Sequence, residues 1–300
     1  MRVAKSKPEP DRQECLSYFI PLDALATKTD TSSFASKTLD FTDLRDPSIA
    51  PAYAALRKFA LHLGAKNVPF AVNGILKRRF WVRRHKMWEY ARCVACVMQK
   101  KNARHGAPPR GTAVELASGE IKERRKFRVL DFGGAATLPI FYLAEHDCEV
   151  WCLDIDATLA NWSNRVSWKR GWRLRALTHD LTREAAPTDW GKFDAVISCS
   201  VLEHIPKDRQ THIFRELAHL LKPGGLLLFS FDFGKDAPVQ DAVRDEHEVQ
   251  KLVKASGLEL LAGGAPQDSG QRFALDRRHP DKKFTFASLF LKKPAVRSSV

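Results

Sequence analysis

The sequence has no long hydrophobic run. Its longest stretch without Asp, Glu, Lys or Arg is the 13 residues from Phe132 to Ala144, whereas a membrane-spanning helix needs roughly 18 or more apolar residues. The first residues, MRVAKSKPEPDRQE, have no apolar segment behind their basic residues, so they do not form a secretory signal. We therefore expect a protein without a membrane span, located in the cytoplasm.

Cysteine is also scarce, with 6 residues in a chain of 300, which excludes a disulfide-based scaffold. Cys93 and Cys96 have the spacing of metal ligands, but no second Cys or His pair lies nearby in the sequence. The favoured interpretation is a pair of buried thiols in a helix, and we expect no metal site.

The positive charge is unevenly distributed. Of the net charge of +14, nearly all arises before residue 128, where 25 Lys and Arg face 12 Asp and Glu. It is densest in KRRFWVRRHK (77–86) and KERRKFR (122–128). Basic residues mixed with aromatic ones suit RNA or another anionic partner, but a solvated helix face has the same composition. Both interpretations stay open.

Three regions follow from the composition. Residues 1–45 are polar with weak periodicity, which predicts a loosely ordered arm. Residues 46–127 form a basic, mainly helical extension, and the Gly- and Pro-rich segment 105–119 within it is typical of a surface loop. Residues 128–300 alternate short apolar runs with amphipathic segments, and this alternation predicts an α/β domain with a mostly parallel sheet. The predicted strands are 127–130, 150–153, 174–177, 193–199, 226–231, 258–261 and 284–291, and the predicted helices of this region are 138–145, 157–170, 208–221 and 246–255.

Carboxylates follow the first three of these strands. Asp131 precedes a run of small residues, Asp154 ends the second strand, and Asp180 follows the third. Ligands of open parallel sheets bind beyond the carboxyl ends of the strands, so we expect these acids to share one edge. A carboxylate at the second strand suits ribose hydroxyls, one at the third suits an adenine amine, and one in the first loop suits an ammonium group.

Residues 128–235 resemble the class I S-adenosylmethionine-dependent methyltransferases. The resemblance rests on five segments in family order, RVLDFGGAATLP, EVWCLDID, THDLT, FDAVISCSVLEHI and LLKPGGLLLFSF. It implies a Rossmann-like, doubly wound, seven-stranded sheet whose last strand is antiparallel. It also implies S-adenosylmethionine as cofactor and S-adenosylhomocysteine as product. The VLEHI and KPGG segments are similar to the small-molecule branch that includes quinone-biosynthesis enzymes.

The resemblance also implies roles for individual residues. The loop after the first strand faces the methionine part, the second strand end holds the ribose, the third holds the adenine, and the end of the fourth strand lies beside the transferred methyl group. The implied cofactor-binding residues are Asp131, Gly133, Gly134, Ala135, Asp154, Ile155, Asp180, Leu181, Ser198 and Ser200. Where the family has its second and third loop glycines, this chain has Ala135 and Thr137. Alanine fits there only with a negative φ and with no ligand atom close to its Cβ.

His204 is the candidate general base, because an imidazole can take a proton from an acceptor near neutral pH. A structural role for His204 is the alternative, since methyl transfer can proceed by proximity alone. Tyr90 and Arg92 lie on a predicted helix that precedes the domain, where either side chain could contact the cofactor, whereas Trp88 suits core packing.

Two rival functions remain at this point. A nicotinamide-dependent dehydrogenase would need Gly-x-Gly-x-x-Gly after the first strand, and the third glycine is missing. An RNA-directed methyltransferase or RNA-binding protein would use the basic block before residue 128. The fourth strand is not followed by the Asn/Asp-Pro-Pro-aromatic tetrapeptide of many amino-directed nucleic-acid methyltransferases. The sequence therefore favours a small-molecule acceptor, with an O, N or C atom as nucleophile.

Overall fold

A computed structural model describes residues 32–77, 81–105, 126–274 and 280–295. Its strands are β1 (Lys37–Thr38), β2 (Phe70–Val72), β3 (Ile75–Lys77), β4 (Phe127–Phe132), β5 (Cys148–Asp154), β6 (Leu174–Thr178), β7 (Phe193–Cys199), β8 (Leu221–Phe233), β9 (Glu259–Leu260), β10 (Phe273–Ala274) and β11 (Lys283–Lys292). Its helices are α1 (Ala50–Ala65), α2 (Arg84–His105), α3 (Leu138–Glu145), α4 (Ala157–Arg170), α5 (Lys207–His219) and α6 (Glu246–Ser256). All seven predicted strands and all four predicted helices of the C-terminal region are present.

The central sheet has the order β1-β11-β8-β7-β4-β5-β6. Strands β4 to β8 are parallel, and β11 pairs antiparallel with β8 from Thr285↔Phe233 to Lys292↔Leu226. The predicted α/β fold with an antiparallel last strand is therefore confirmed. Buried apolar runs in β7 and β8 fit strands that are covered on both faces.

Two side chains of α4 cover the free edge of β6. The side-chain amide of Asn164 accepts from the Ala176 N–H and donates to the Ala176 carbonyl, both at 2.8 Å. The Ser167 hydroxyl donates to the Leu174 carbonyl at 2.7 Å. An uncovered edge strand is a template for pairing with another chain, so these bonds replace a missing neighbouring strand.

The expected arm, 1–45, is corrected in its described part. Residues 32–45 pack on the domain: β1 pairs antiparallel with β11 through Lys37↔Ser288, and Phe34 and Leu44 are buried. The physical reason is that β11 would otherwise have a free edge, which β1, β9 and β10 all cover. Residues 1–31 lie outside the described part of the chain, as do 78–80 and 122–125 of the basic clusters and 106–119 of the predicted loop.

The helical extension contains one element that we did not predict. Between α1 and α2, strands β2 and β3 form a hairpin whose turn is Asn73-Gly74, both with positive φ (51° and 66°). Asn-Gly between apolar residues is a strong signal for such a turn. Both helices pack against the domain; the rings of Phe59 and Tyr142, for example, meet edge to face at 5.5 Å.

Among the described residues, no helix is long and apolar enough to cross a membrane. The thiols of Cys93 and Cys96 are buried in α2, as the sequence indicated, and burial raises the pKa of Cys96 to about 12. Within the described ranges, no group of three or more His, Cys, Asp and Glu side chains is arranged to hold a metal ion.

Candidate functional site

The small residues after β4 are required by the geometry of the loop. Gly133 has φ +78°, and a Cβ at this position would lie 2.6 Å from the methyl carbons of Val201. Its N–H donates to the Leu153 carbonyl at 2.7 Å, which draws the loop against β5. A Cβ at Gly134 would collide with the carboxylate of Asp131. Glycine is therefore needed here both for its backbone freedom and for its lack of a side chain.

Asp131 lies beneath this loop. Its carboxylate accepts the Cys152 thiol at 3.2 Å and the backbone N–H of Gly134. Burial raises the pKa of Asp131 to about 7, although these two hydrogen bonds act in the opposite direction. The loop around Asp131 forms as expected. The carboxylate already accepts hydrogen bonds from two groups of the protein, in addition to any from the expected ammonium group of a ligand.

The departure from the glycine pattern has a structural explanation. Ala135 does not have a positive φ; the left-handed residue is Ala136, with φ +62°. The Ala135 N–H donates to Asp154 Oδ2 at 3.0 Å, and the Ala136 N–H donates to the Ser163 hydroxyl at 2.7 Å. The backbone condition for an alanine at position 135 is therefore met, and the conformational strain lies one residue later.

Asp154 is the centre of the contacts at this edge. Besides Ala135, it accepts the Asp156 N–H on Oδ1 at 2.9 Å, and its carbonyl accepts the His179 N–H at 3.0 Å. Each carboxylate oxygen has a second lone pair, so Asp154 keeps two acceptor positions for a ligand. Ile155, the next residue, is 74% exposed, which is unusual for an isoleucine.

Asp180 and Leu181 follow β6 at the same edge. Asp180 Oδ1 accepts the N–H of Thr182 at 2.9 Å and its hydroxyl at 2.6 Å, and these hydrogen bonds lower the pKa of Asp180. The Leu181 side chain is fully buried. The three acids predicted at strand ends thus come together at the tips of three adjacent strands, β4, β5 and β6.

The two serines at the end of β7 have other partners. The Ser198 hydroxyl donates to the Phe132 carbonyl at 2.9 Å in the core, and the Ser200 hydroxyl donates to Glu89 Oε2 at 2.6 Å. Ser198 is fully buried, and Ser200 has a positive φ of 54°. Both residues therefore link β7 to its neighbours through their side chains.

A buried charged cluster, which the sequence analysis missed, lies where α2 crosses the ends of β7 and β8. Glu89 accepts a second hydroxyl, that of Ser230, at 2.7 Å, and its Oε1 lies 3.3 Å from Lys86 Nζ. Glu203 and Asp232 are also buried. Burial and repulsion from Asp232 raise the pKa of Glu203 to about 8. Burial, together with repulsion from Glu89, raises the pKa of Asp232 to about 7. The sequence signal was a charged residue inside an apolar run, as in LLLFSFDF.

His204 and Arg92 differ in how the structure uses them. His204 is exposed, and burial of part of its ring, followed by the positive charge of Lys86, lowers its pKa, so the imidazole is neutral at pH 7. Arg92 points away from the strand tips: it donates to Asp43 at 3.0 Å and to the Ala35 carbonyl at 2.6 Å. Tyr90 is the residue of α2 that lies near Asp131, and burial raises the pKa of its hydroxyl.

Comparison with known proteins gives a family match in the region of β4 to β7. Residues 129–225 match the family model described as "Methyltransferase domain". The chain carries a class I S-adenosylmethionine-dependent methyltransferase domain.

Individual relatives match the methyltransferase domain in part. The ubiquinone biosynthesis O-methyltransferase of Xanthomonas axonopodis pv. citri (strain 306) is 36% identical over 107 residues, 34% of this chain and 42% of that protein. The tRNA N(3)-cytidine methyltransferase METTL2 of Gallus gallus is 26% identical over 141 residues, 42% of this chain and 38% of that protein. The matched segments thus span less than half of these curated relatives. The solved structure of TehB from Haemophilus influenzae has a TM-score of 0.46 at 16% identity, covering 65% of this chain and 67% of that one.

S-adenosylmethionine is the cofactor of such a methyltransferase domain, and the residues at the strand tips fit it. The loop at Gly133 and Gly134 leaves no space for side chains, so only backbone lies there. Asp154 retains acceptor positions for two ribose hydroxyls, and the exposed Ile155 offers apolar surface to an adenine ring.

Proposed function

We propose that this chain transfers a methyl group from S-adenosylmethionine to an O, N or C atom of a small-molecule acceptor, in the cytoplasm. The observation that carries the proposal is the hydrogen bond of 3.0 Å between the Ala135 N–H and Asp154, because it joins the glycine-containing loop to the acid of the next strand. In this proposal the loop residues 131–135 hold the methionine part. Asp154 and Ile155 hold the ribose and one face of the adenine, and Asp180 and the Leu181 backbone hold the adenine edge.

When bound, S-adenosylmethionine supplies a methyl group on a positively charged sulfur. The protein's own contribution is to align the acceptor behind that carbon and to exclude water. Helix α2 covers the ends of β7 and β8, where Glu89 is held by Ser200 and Ser230. The acceptor's nucleophilic atom loses a proton during the transfer, and His204, neutral at pH 7, is the group proposed to receive it.

The test is calorimetric titration of the full chain with S-adenosylmethionine, S-adenosylhomocysteine and a nicotinamide dinucleotide. We expect binding of the first two only. Asp154→Ala removes two hydrogen bonds between a carboxylate and ribose, which predicts a loss of affinity of about 30-fold or more. Asp156→Asn removes the neighbouring carboxylate, which is the N-cap of α4, but keeps a capping side chain, so affinity stays within about twofold. Equal affinities for wild type and Asp154→Ala would contradict the assignment of Asp154.

An RNA acceptor is the second candidate, favoured by the similarity to tRNA methyltransferases from Gallus gallus and Homo sapiens and by the basic residues before position 128. Transfer of a tritiated methyl group from S-adenosylmethionine distinguishes the two candidates. Small hydroxylated aromatic compounds and total RNA are offered separately to the same preparation. Label in the RNA fraction alone would replace the small-molecule proposal. The His204→Ala variant, assayed on whichever substrate is methylated, then tests whether His204 is the general base. Turnover equal to wild type would remove His204 from the mechanism.

A further inference from the structure

The outer face of α4 and the turn that follows it have an unusual composition. From Ala157 to Thr178 the chain contains three Trp and five Lys or Arg residues, with no Asp or Glu. Arg165, Trp168 and Lys169 are spaced by three and four residues, so they lie on one face of the helix, and all three are exposed. Trp168 is 82% exposed, far more than expected for a side chain of this size.

A second group of basic side chains lies at β6, on the opposite face of the sheet from α4. Gly171 ends α4 in a left-handed conformation and turns the chain back toward β6. The next exposed side chains, Arg173 and Arg175, line a cavity of about 310 Å³ together with Trp151. The guanidinium of Arg175 lies 5.1 Å from the centre of the Trp151 ring.

Acidic side chains do not neutralise either group. Glu145 is engaged by Arg170, whose guanidinium is 3.4 Å from its carboxylate, and by the indole N–H of Trp172. Glu149, which lines the cavity, accepts from Arg128 at 2.9 Å and from the Trp151 indole at 3.0 Å. Across the parts of the chain that the structure describes, no ion pair involves Arg165, Lys169 or Arg173.

We propose that single-stranded RNA binds the outer face of α4, defined as Arg165, Trp168 and Lys169. Basic side chains along a rigid helix bind phosphates, and an exposed indole among them stacks on an unpaired base. The remaining exposed residues of α4 include Thr158 and Asn161, so the face has too little apolar area for insertion into a lipid surface. This inference does not depend on which acceptor is methylated, because no residue of the loops assigned to S-adenosylmethionine belongs to this face.

The experiment uses the full chain and a fluorescein-labelled RNA of about 20 nucleotides, of mixed sequence without secondary structure, with binding followed by fluorescence anisotropy at low salt. The test variant is Arg165→Glu/Lys169→Glu. The matched control is Lys251→Glu/Lys254→Glu, which changes two basic residues of α6 by the same charge. We expect the α4 variant to bind RNA at least about 10-fold more weakly than wild type, and the control to stay within about threefold. The slope of log K against log salt should fall by about 1.4 in the α4 variant alone.

A second pair of variants tests stacking. Trp168→Ala should weaken binding several-fold, whereas Trp168→Phe, which keeps an aromatic ring, should recover most of that loss. Equal losses in the α4 and α6 charge variants would overturn the proposal, as would tighter binding to vesicles rich in anionic lipid than to RNA, or no RNA binding by wild type. Titration with S-adenosylmethionine is run on every variant. Unchanged cofactor affinity with lost RNA binding separates this inference from the proposed methyl transfer.

Discussion

The acidic residues at the carboxyl edge of the sheet lie in two different environments. The first half of this edge is formed by β4, β5 and β6, and the second half by β7 and β8. At β5 and β6, Asp154 accepts N–H groups from Ala135 of the preceding loop and from Asp156 of its own, and the pKa of Asp180 is lowered by its Thr182 hydrogen bonds. At β7 and β8, burial raises the pKa values of Glu203 and Asp232, and Glu203 Oε2 has no hydrogen-bond partner among the described residues. Asp131, which is buried beneath the loop after β4, resembles the acids of the second half, because burial raises its pKa to about 7. The pKa of an acid at this edge therefore follows its burial.

The difference also separates what a sequence can predict from what it cannot. The acids of the first half are local features, because each lies within two residues of the end of a strand. The cluster of the second half requires α2, whose Glu89 meets Ser200 and Ser230 more than 100 residues later in the chain. The four predictions below test this comparison, in order of decreasing expected effect.

Replacing Gly133 by Ala should disrupt the first half most strongly. The new Cβ would meet Val201 at 2.6 Å in a backbone with φ +78°, so we expect a loss of about 3–5 kcal/mol in the free energy of unfolding. Gly171→Ala is the control, because Gly171 has φ +66° but no atom within 4 Å of the place where its Cβ would lie, and it should cost only about 1–2 kcal/mol. Urea unfolding measures both. Equal losses would show that the contact with Val201 is unimportant.

Removing Glu89 tests the second half. Glu89→Ala leaves the buried ammonium of Lys86 without its partner, for which we expect a loss of about 3–5 kcal/mol of stability. Changing Lys86 to Met in the same chain should recover much of it, because no unpaired charge then remains. As a control, Asp208→Ala breaks an exposed pair with Arg209 and should cost less than about 1 kcal/mol. A double variant no more stable than Glu89→Ala would contradict this account of Lys86.

The raised pKa of Glu203 predicts a dependence of stability on pH. A carboxyl that holds its proton more tightly in the folded state stabilises the fold at low pH, and this stabilisation is lost as the pH rises toward the folded pKa of about 8. Burial lowers the pKa of His85 to about 4. His85 therefore makes the stability of the fold increase with pH, but only below its unfolded pKa of about 6.5. Between about pH 6.5 and 8 we therefore expect wild type to lose stability. Glu203→Gln should lose about 1 kcal/mol less than wild type over that range, whereas the exposed Glu246→Gln should behave as wild type.

The smallest effect concerns two neighbouring alanines of the first half. Ala136→Gly should stabilise the protein by up to about 1 kcal/mol, since glycine tolerates the φ of +62°. Ala135→Gly should destabilise it by about 0.5–1 kcal/mol, because the flexible unfolded chain gains entropy without any relief of strain. Thermal unfolding of the two variants should shift in opposite directions. A shift in the same direction would contradict the assignment of the strain to Ala136.

Particular elements show where sequence reasoning succeeds. Helix α4 begins at the predicted residue because Asp156 caps it through the N–H groups of Thr158 and Leu159, and it ends at Gly171, again as predicted. The β2–β3 hairpin was missed although Asn73-Gly74 is a strong signal for it, because apolar residues on both sides were assigned to a continuous helical region. The role of residues 32–45 could not be predicted, since β1 pairs with a strand about 250 residues later in the chain.

The most direct test of the central claim is a crystal structure of the chain with S-adenosylhomocysteine. The account predicts both ribose hydroxyls within hydrogen-bond distance of the Asp154 carboxylate, with the adenine between Ile155 and the Leu181 backbone. An adenosine bound elsewhere, with Asp154 still contacting only Ala135 and Asp156, would contradict it.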